Sequence, residues 1–167
     1  MLGASSAKTL FSISLMLVGW QSLSQGALNV ELKNIEGKYV TLHQIKGEKL
    51  TVLDFWATWC KPCIKAIPEL EKLSNEFEDK GVRFVGINND SPRNISKVRP
   101  ISKSLGMTYP VLLDTEQELF NEMLVVSLPT LIILRPDGEV VYTHEGYSRG
   151  DEVLIKSRIE ELLADDE

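Results

Sequence analysis

Residues 51 to 73 read TVLDFWATWCKPCIKAIPELEKL, and a change of periodicity inside that stretch decides the fold. Its first half, Val52 to Ala57, is an apolar run rich in β-branched and aromatic residues and broken only by Asp54, the pattern of a buried central strand. Beyond it Ile64, Ile67, Leu70, Leu73 and Phe77 recur at spacings of three and four, the stripe of an amphipathic helix. Trp59, Cys60, Lys61, Pro62 and Cys63 occupy the junction, so a strand feeds a helix with two cysteines at the turn. Unpaired backbone N–H groups and the positive end of the helix dipole meet at such a terminus, which stabilises a thiolate and lowers its pKa. Cys60 stands at that end, as a nucleophile should. Cys63 follows on the same side of the first turn, where it can close a disulfide with Cys60.

A CxxC pair also occurs in structural zinc sites. Zinc usually takes four protein ligands, and the chain offers Cys60, Cys63, His43 and His144 without zinc-finger spacing. A purely structural bridge across so short a loop would restrain the unfolded chain only modestly. The strand-to-helix setting favours redox chemistry over both. Asp54, an acid inside an apolar strand, is either buried, with its pKa raised toward the range of a working base, or a side chain that reaches solvent at a strand end.

LDFWATWCKPC at residues 53 to 63, Pro68 beyond it and SLPT at Ser127 to Thr130 resemble the two signatures of the thioredoxin superfamily. The length, an N-terminal leader and an added segment before SLPT are similar to the TlpA/ResA-like extracytoplasmic branch, over about Leu28 to Leu163. The resemblance implies an α/β, thioredoxin-like three-layer sandwich: a central mixed sheet, an N-terminal β-hairpin and an inserted helix-strand unit. It implies an exported thiol–disulfide oxidoreductase that reduces disulfide-containing client proteins, draws electrons from a membrane donor, and needs neither metal nor cofactor. Cys60 would attack and Cys63 resolve, so Cys60 should be reachable and Cys63 shielded. Asp54 matches the family's buried acid, which assists proton transfer at the resolving cysteine. The Leu128–Pro129 peptide bond should be cis, and Ser127, Leu128 and Pro129 should contact the client chain, together with Trp59, Lys61 and Pro62 around the disulfide. A cation after the first cysteine and a proline before the second resemble reducing members more than strongly oxidising ones. One departure stands out: ResA-type members carry a glutamate three residues after the second cysteine, and here that residue is Ala66. Two rival functions are a thiol peroxidase, whose Pro-x-x-x-Thr-x-x-Cys setting is missing before Cys60, and a non-catalytic binding module with an inert bridge.

The whole chain, 167 residues with 43% hydrophobic and 25% charged, suits one domain with a proper core. Residues 1 to 26 hold Lys8, an apolar stretch from Leu10 to Trp20 and small residues at Ser24 and Gly26, which read as a signal peptide cut near Gly26 and leave 27–167 as the domain. The apolar stretch falls short of the roughly 20 residues that span a bilayer. Membrane contact is therefore expected only if the leader stays uncleaved. Removing it leaves 17 Lys+Arg against 24 Asp+Glu, an acidic balance that gives no support to binding nucleic acid or anionic lipid. In an oxidising compartment a dithiol is oxidised unless something reduces it.

Around this centre, Leu28 to Leu32 and Tyr39 to Leu42 alternate about Gly37 as a hairpin with one buried face, Tyr39 included in the core. The cysteine helix should run to about Lys80 despite Pro68 and stop at Gly81. Val82 to Ile87 reads as a parallel strand, then Ser91-Pro92 as the cap and first position of a helix reaching about Ser104 and interrupted by Pro100. Tyr109 to Leu113 is a short strand and Glu116 to Met123 a short helix, with Met123 in the core. Arg135 to Gly138 turns a hairpin of Leu131–Leu134 and Glu139–Thr143, and a last helix over Asp151–Leu163 carries Val153, Leu154, Ile159, Leu162 and Leu163 as its apolar stripe. His43 and His144 read as surface or packing residues, Trp56 as core.

Overall fold

A computed structural model describes residues 26–165. The leader assigned to residues 1–26 lies almost entirely outside the described residues, and none of the described helices is long and apolar enough to cross a membrane.

Strand β3 (Leu50–Trp56) is buried at every one of its 7 positions, because it is paired on both edges and covered on both faces. β4 (Val82–Asn88) runs parallel to it and β6 (Thr130–Leu134) antiparallel. Outside β4 lie β5 (Val111–Leu113), parallel, and then the N-terminal hairpin of β1 (Glu31–Asn34) and β2 (Tyr39–Thr41). β7 (Val140–Glu145) closes the other side against β6, giving the order β2-β1-β5-β4-β3-β6-β7 among the described residues. The sheet is mixed, as expected, and its parallel pairs are joined by helical crossovers. α1 (Leu42–Ile45) is a single turn after β2. α2 (Lys61–Phe77) links β3 to β4, and α3 (Ile95–Ser104) links β4 to β5. α4 (Glu118–Glu122) precedes β6, and α5 (Asp151–Ala164) ends the described chain.

Alternation along the strands sorts the core into layers. Leu50, Val52, Phe84, Leu131 and Ile133 pack with Leu70, Leu73 and Phe77 of α2 and with Ile155, Ile159 and Leu162 of α5. Leu53, Phe55, Val85, Ile87, Ile132 and Leu134 face the other way, toward Leu42 of α1, Leu119 of α4 and the N-terminal Leu28. A third group beneath the cysteine turn joins Trp56, Cys63 and Ile67 to Val98 of α3. Pro68 lies within α2 without ending it, and a 3-10 turn (Glu78–Lys80) carries the chain to Gly81, whose φ of 82° is the left-handed geometry that a glycine stop supplies.

Five expectations need correction. The first hairpin strand, expected over Leu28–Leu32, is Glu31–Asn34, with residues 26–29 helical before it, and α3 runs through Pro100 without interruption. Tyr39 is 60% exposed, because it sits on the edge strand facing outward beneath the Lys33 ammonium, 4.9 Å from its ring. Ser91 and Pro92 belong to a turn in which Asn94 N–H donates to Ser91 O; the helix begins only at Ile95, with Asn94 as its cap residue. On α5 the helical spacing selects Ile155, Ile159 and Leu162, so Val153 and Leu154 turn to solvent, 64% and 59% exposed. Met123 is partly buried against the second layer.

Candidate active site

The cysteine turn follows from the end of β3. Cys60 N–H donates to Ala57 O at 3.0 Å, and Cys60 then caps α2 with Pro62 in the first turn, a position where the missing N–H of proline does no harm. Cys60 and Cys63 are joined as a disulfide with their Cα atoms 5.3 Å apart. The Cys63 backbone N–H points at Cys60 Sγ, 3.2 Å away. On reduction, that sulfur is the one a backbone donor and the helix dipole hold as thiolate. Cys60 is 4% exposed and Cys63 0%, so access differs in the expected direction but by little while the bridge is closed. Trp59, at 64% exposed, and the exposed Lys61 and Pro62 surround it as the rim.

The rim is anchored by residues the sequence did not single out. Asp90, fully buried after β4, accepts Thr58 N–H and the Thr58 hydroxyl at 2.7 Å each, and Asn88 Nδ2 at 2.9 Å. That carboxylate fixes the residue before Trp59. Across the site the Leu128–Pro129 bond is cis. The loop before it is held by the Thr130 hydroxyl donating to Ser127 O at 2.9 Å and by Gly146 N–H donating to Pro129 O at 2.8 Å. Leu128 packs onto the cysteine cluster, while Ser127 stays exposed beside Val126 and Leu124, themselves 76% and 83% exposed.

Asp54 lies mid-strand, 1% exposed, and does not reach solvent. Desolvation pushes its carboxyl up from 3.8 to about 7, opposed by one hydrogen bond from Tyr109 Oη to Oδ2 at 3.1 Å. Asp54 shares a small cavity with Ala66, Leu70, Pro129, Leu131, His144, Gly146, Tyr147 and Ile155. Ala66 is one turn beyond Cys63, so the acid sits under the first turns of α2 and behind the cis-proline loop. A glutamate in place of Ala66 would put a second carboxyl on that cavity; here Asp54 faces it without one.

The structure therefore brings together Cys60, Cys63, Trp59, Lys61 and Pro62 on one turn, with Leu128 and Pro129 opposite and Asp54 beneath. His43 lies away on α1, exposed; His144 packs beside the Asp54 cavity with Nε2 3.1 Å from Asp151 Oδ2. Among the described residues no group of three or more His, Cys, Asp or Glu is arranged to hold a metal.

The AhpC/TSA family profile matches residues 23–143. The chain is 35% identical to the thiol-disulfide oxidoreductase ResA of Bacillus subtilis (strain 168) over 128 residues, 75% of this chain and 70% of that one. It is 31% identical to the sporulation thiol-disulfide oxidoreductase A of the same organism over 151 residues, 83% and 90% of the two chains. The solution structure of a thioredoxin-like protein from Porphyromonas gingivalis superposes with a TM-score of 0.70 at 33% identity, covering 83% of this chain and 92% of that one.

Proposed function

The chain belongs to the AhpC/TSA family with a thioredoxin-like fold, and from that premise we propose that it is an exported thiol–disulfide oxidoreductase that reduces disulfides in client proteins. One observation carries the reading: the N–H of Cys63 aimed at Cys60 Sγ at the start of a helix, under an exposed rim. In the reduced protein the Cys60 thiolate attacks one sulfur of a client disulfide. A Cys60–client bond forms, the client bond breaks, and the second client sulfur leaves as a thiolate that takes a proton from solvent. Asp54, ionised, accepts the Cys63 proton; the Cys63 thiolate then attacks Cys60 Sγ, restores the bridge and releases the client as a dithiol. Two electrons have passed to the client, so an outside donor must reduce the bridge again, and a membrane electron carrier fits an exported protein. Trp59, Lys61 and Pro62 on one rim and Ser127, Leu128 and Pro129 on the other are the surfaces a client chain would meet.

Peroxidase chemistry is disfavoured because Leu53 and Ala57 stand where the Pro and Thr of its motif would precede Cys60, and both are buried. An inert bridge is disfavoured by the backbone donor on Cys60 Sγ. Equilibration of the Cys60–Cys63 couple against a thiol buffer tests the direction of electron flow. A potential near thioredoxin's, about −270 mV, supports a reductant; one near about −120 mV makes the protein a disulfide donor and ends the proposal.

A further inference from the structure

We infer that Tyr109 is a positioning residue for the Asp54 carboxyl, held over it by a clamp on Thr108 and admitted by the missing side chain of Gly86. The inference rests on the base role proposed for Asp54.

The sheet register sets Gly86 directly beside Asp54. A Cβ on residue 86 would come within 3.3 Å of Tyr109 Cε2, 3.2 Å of Trp56 Nε1 and 3.1 Å of Met107 Cε, so the ring occupies space that any other residue would contest. Tyr109 is 5% exposed, packs on Phe84 with centroids 6.1 Å apart, and donates its hydroxyl to Asp54 Oδ2 at 3.1 Å. Its backbone is fixed on both sides. Glu71 of α2, itself buried, accepts Thr108 N–H at 2.9 Å and the Thr108 hydroxyl, and Gly86 N–H donates to Pro110 O at 2.8 Å. A carboxylate on the cysteine helix therefore locates the phenol that touches the acid beneath that helix.

Other ionisable groups face Asp54 from the remaining elements. The bridged Cys60 and Cys63 carry no titratable thiol in the oxidised protein, and Glu71 of α2 acts on Tyr109. His144 of β7 and Tyr147 before α5 line its cavity, but His144 is engaged by Asp151 and Tyr147 by Glu152. Tyr109 thus donates a hydrogen bond to the Asp54 carboxyl, and that bond favours the ionised form. Burial and the neighbouring carboxylates Asp54 and Glu71 hold the phenol itself well above its ordinary range, so it remains a donor throughout.

The test is a carboxyl-carbon NMR titration of Asp54 in the full, oxidised protein, for the wild type and for Tyr109→Phe, which keeps the ring against Phe84. The wild-type midpoint is expected near 7. Loss of the donor should raise it by about one pH unit. Gly86→Ala, which crowds the ring without altering the hydroxyl, should move it in the same direction. A midpoint unchanged in Tyr109→Phe overturns the inference. In disulfide exchange, the low-pH limb should shift upward with the midpoint, lowering the rate about tenfold near pH 6 and leaving it unchanged near pH 9. Asp54→Asn separates the two ideas. If it leaves that limb intact, the base role fails whatever Tyr109 does; if it removes the limb while Tyr109→Phe matches the wild type, only the Tyr109 inference fails.

Discussion

At the rim of the site Trp59 is 64% exposed and Val126 76%, whereas beneath it Cys63, Trp56 and Asp54 are 1% exposed or less. The rim is made of neighbours in sequence on two short turns, and its atoms need only be reachable. The floor is assembled from β3, β4, α2 and the segment before β5, and its atoms must be dry. Changes in the floor should therefore couple chemistry to stability and pH, whereas changes in the rim should act on partner binding alone. Cys60 joins the rim to Cys63 in the floor, and loss of either cysteine should be the largest effect. Cys60→Ser is expected to abolish client reduction, and Cys63→Ser to accumulate a mixed disulfide through Cys60, visible on non-reducing gels. A mixed disulfide formed by Cys63 in Cys60→Ser would reverse the roles and put the nucleophile in the floor.

Asp54→Asn comes next. As a general base, its loss should slow exchange near neutral pH by roughly 100-fold and flatten the low-pH limb. Stability should move the other way. The folded carboxyl titrates about 7 against 3.8 in the unfolded chain, so between those values the folded state holds a proton the unfolded state has lost, and stability falls as pH rises. The contribution is fully present below 3.8 and lost once pH passes about 7. Asp54→Asn should then stabilise the oxidised protein by on the order of 2 to 4 kcal/mol at pH 8 and by little at pH 4, measured by denaturant unfolding. A variant that is no more stable at pH 8 would mean that the floor is wetter than its burial indicates.

Asp90 makes the comparison sharper, because it is a floor residue whose work is done on the rim. Asp90→Ala removes the acceptor for Thr58 N–H, the Thr58 hydroxyl and Asn88, and should destabilise by about 2 to 3 kcal/mol. The turn that presents Trp59 should loosen with it, read as faster hydrogen exchange at residues 58 to 60. Destabilisation without faster exchange there would confine Asp90 to a packing role.

How much of this was legible in the sequence divides along the same line. Strand β3, helix α2 and the cysteine pair were readable because each is a contiguous pattern with its own period or turn chemistry, and the SLPT loop through its resemblance to a known signature. Asp54 was readable because a charge in a buried strand is costly enough to be conspicuous. Tyr109, Glu71 and Asp90 were not, since their roles arise from register: Gly86 falls beside Asp54 only once β3 and β4 pair, and nothing local marks Thr108 as the partner of Glu71. The misread positions have local causes too. The run Val153-Leu154-Ile155 offers three apolar residues to one helix face that takes only Ile155, and Tyr39 has the β-propensity of a core residue on a strand that is an edge.

Trp59→Ala should be the smallest effect on the fold and the most direct test of the rim. A side chain 64% in water contributes little to the core, so unfolding free energy should change by no more than about 0.5 kcal/mol. The same surface is available to a client, and an exposed aromatic beside a nucleophile offers apolar area at low entropic cost. Reduction of a protein disulfide should therefore show a several-fold higher KM, with kcat and the pH limb set by Asp54 unchanged. A small disulfide too short to reach the ring should react at the wild-type rate. Equal impairment with both substrates would place Trp59 in the chemistry of Cys60, and the separation between a binding rim and a reactive floor would no longer hold.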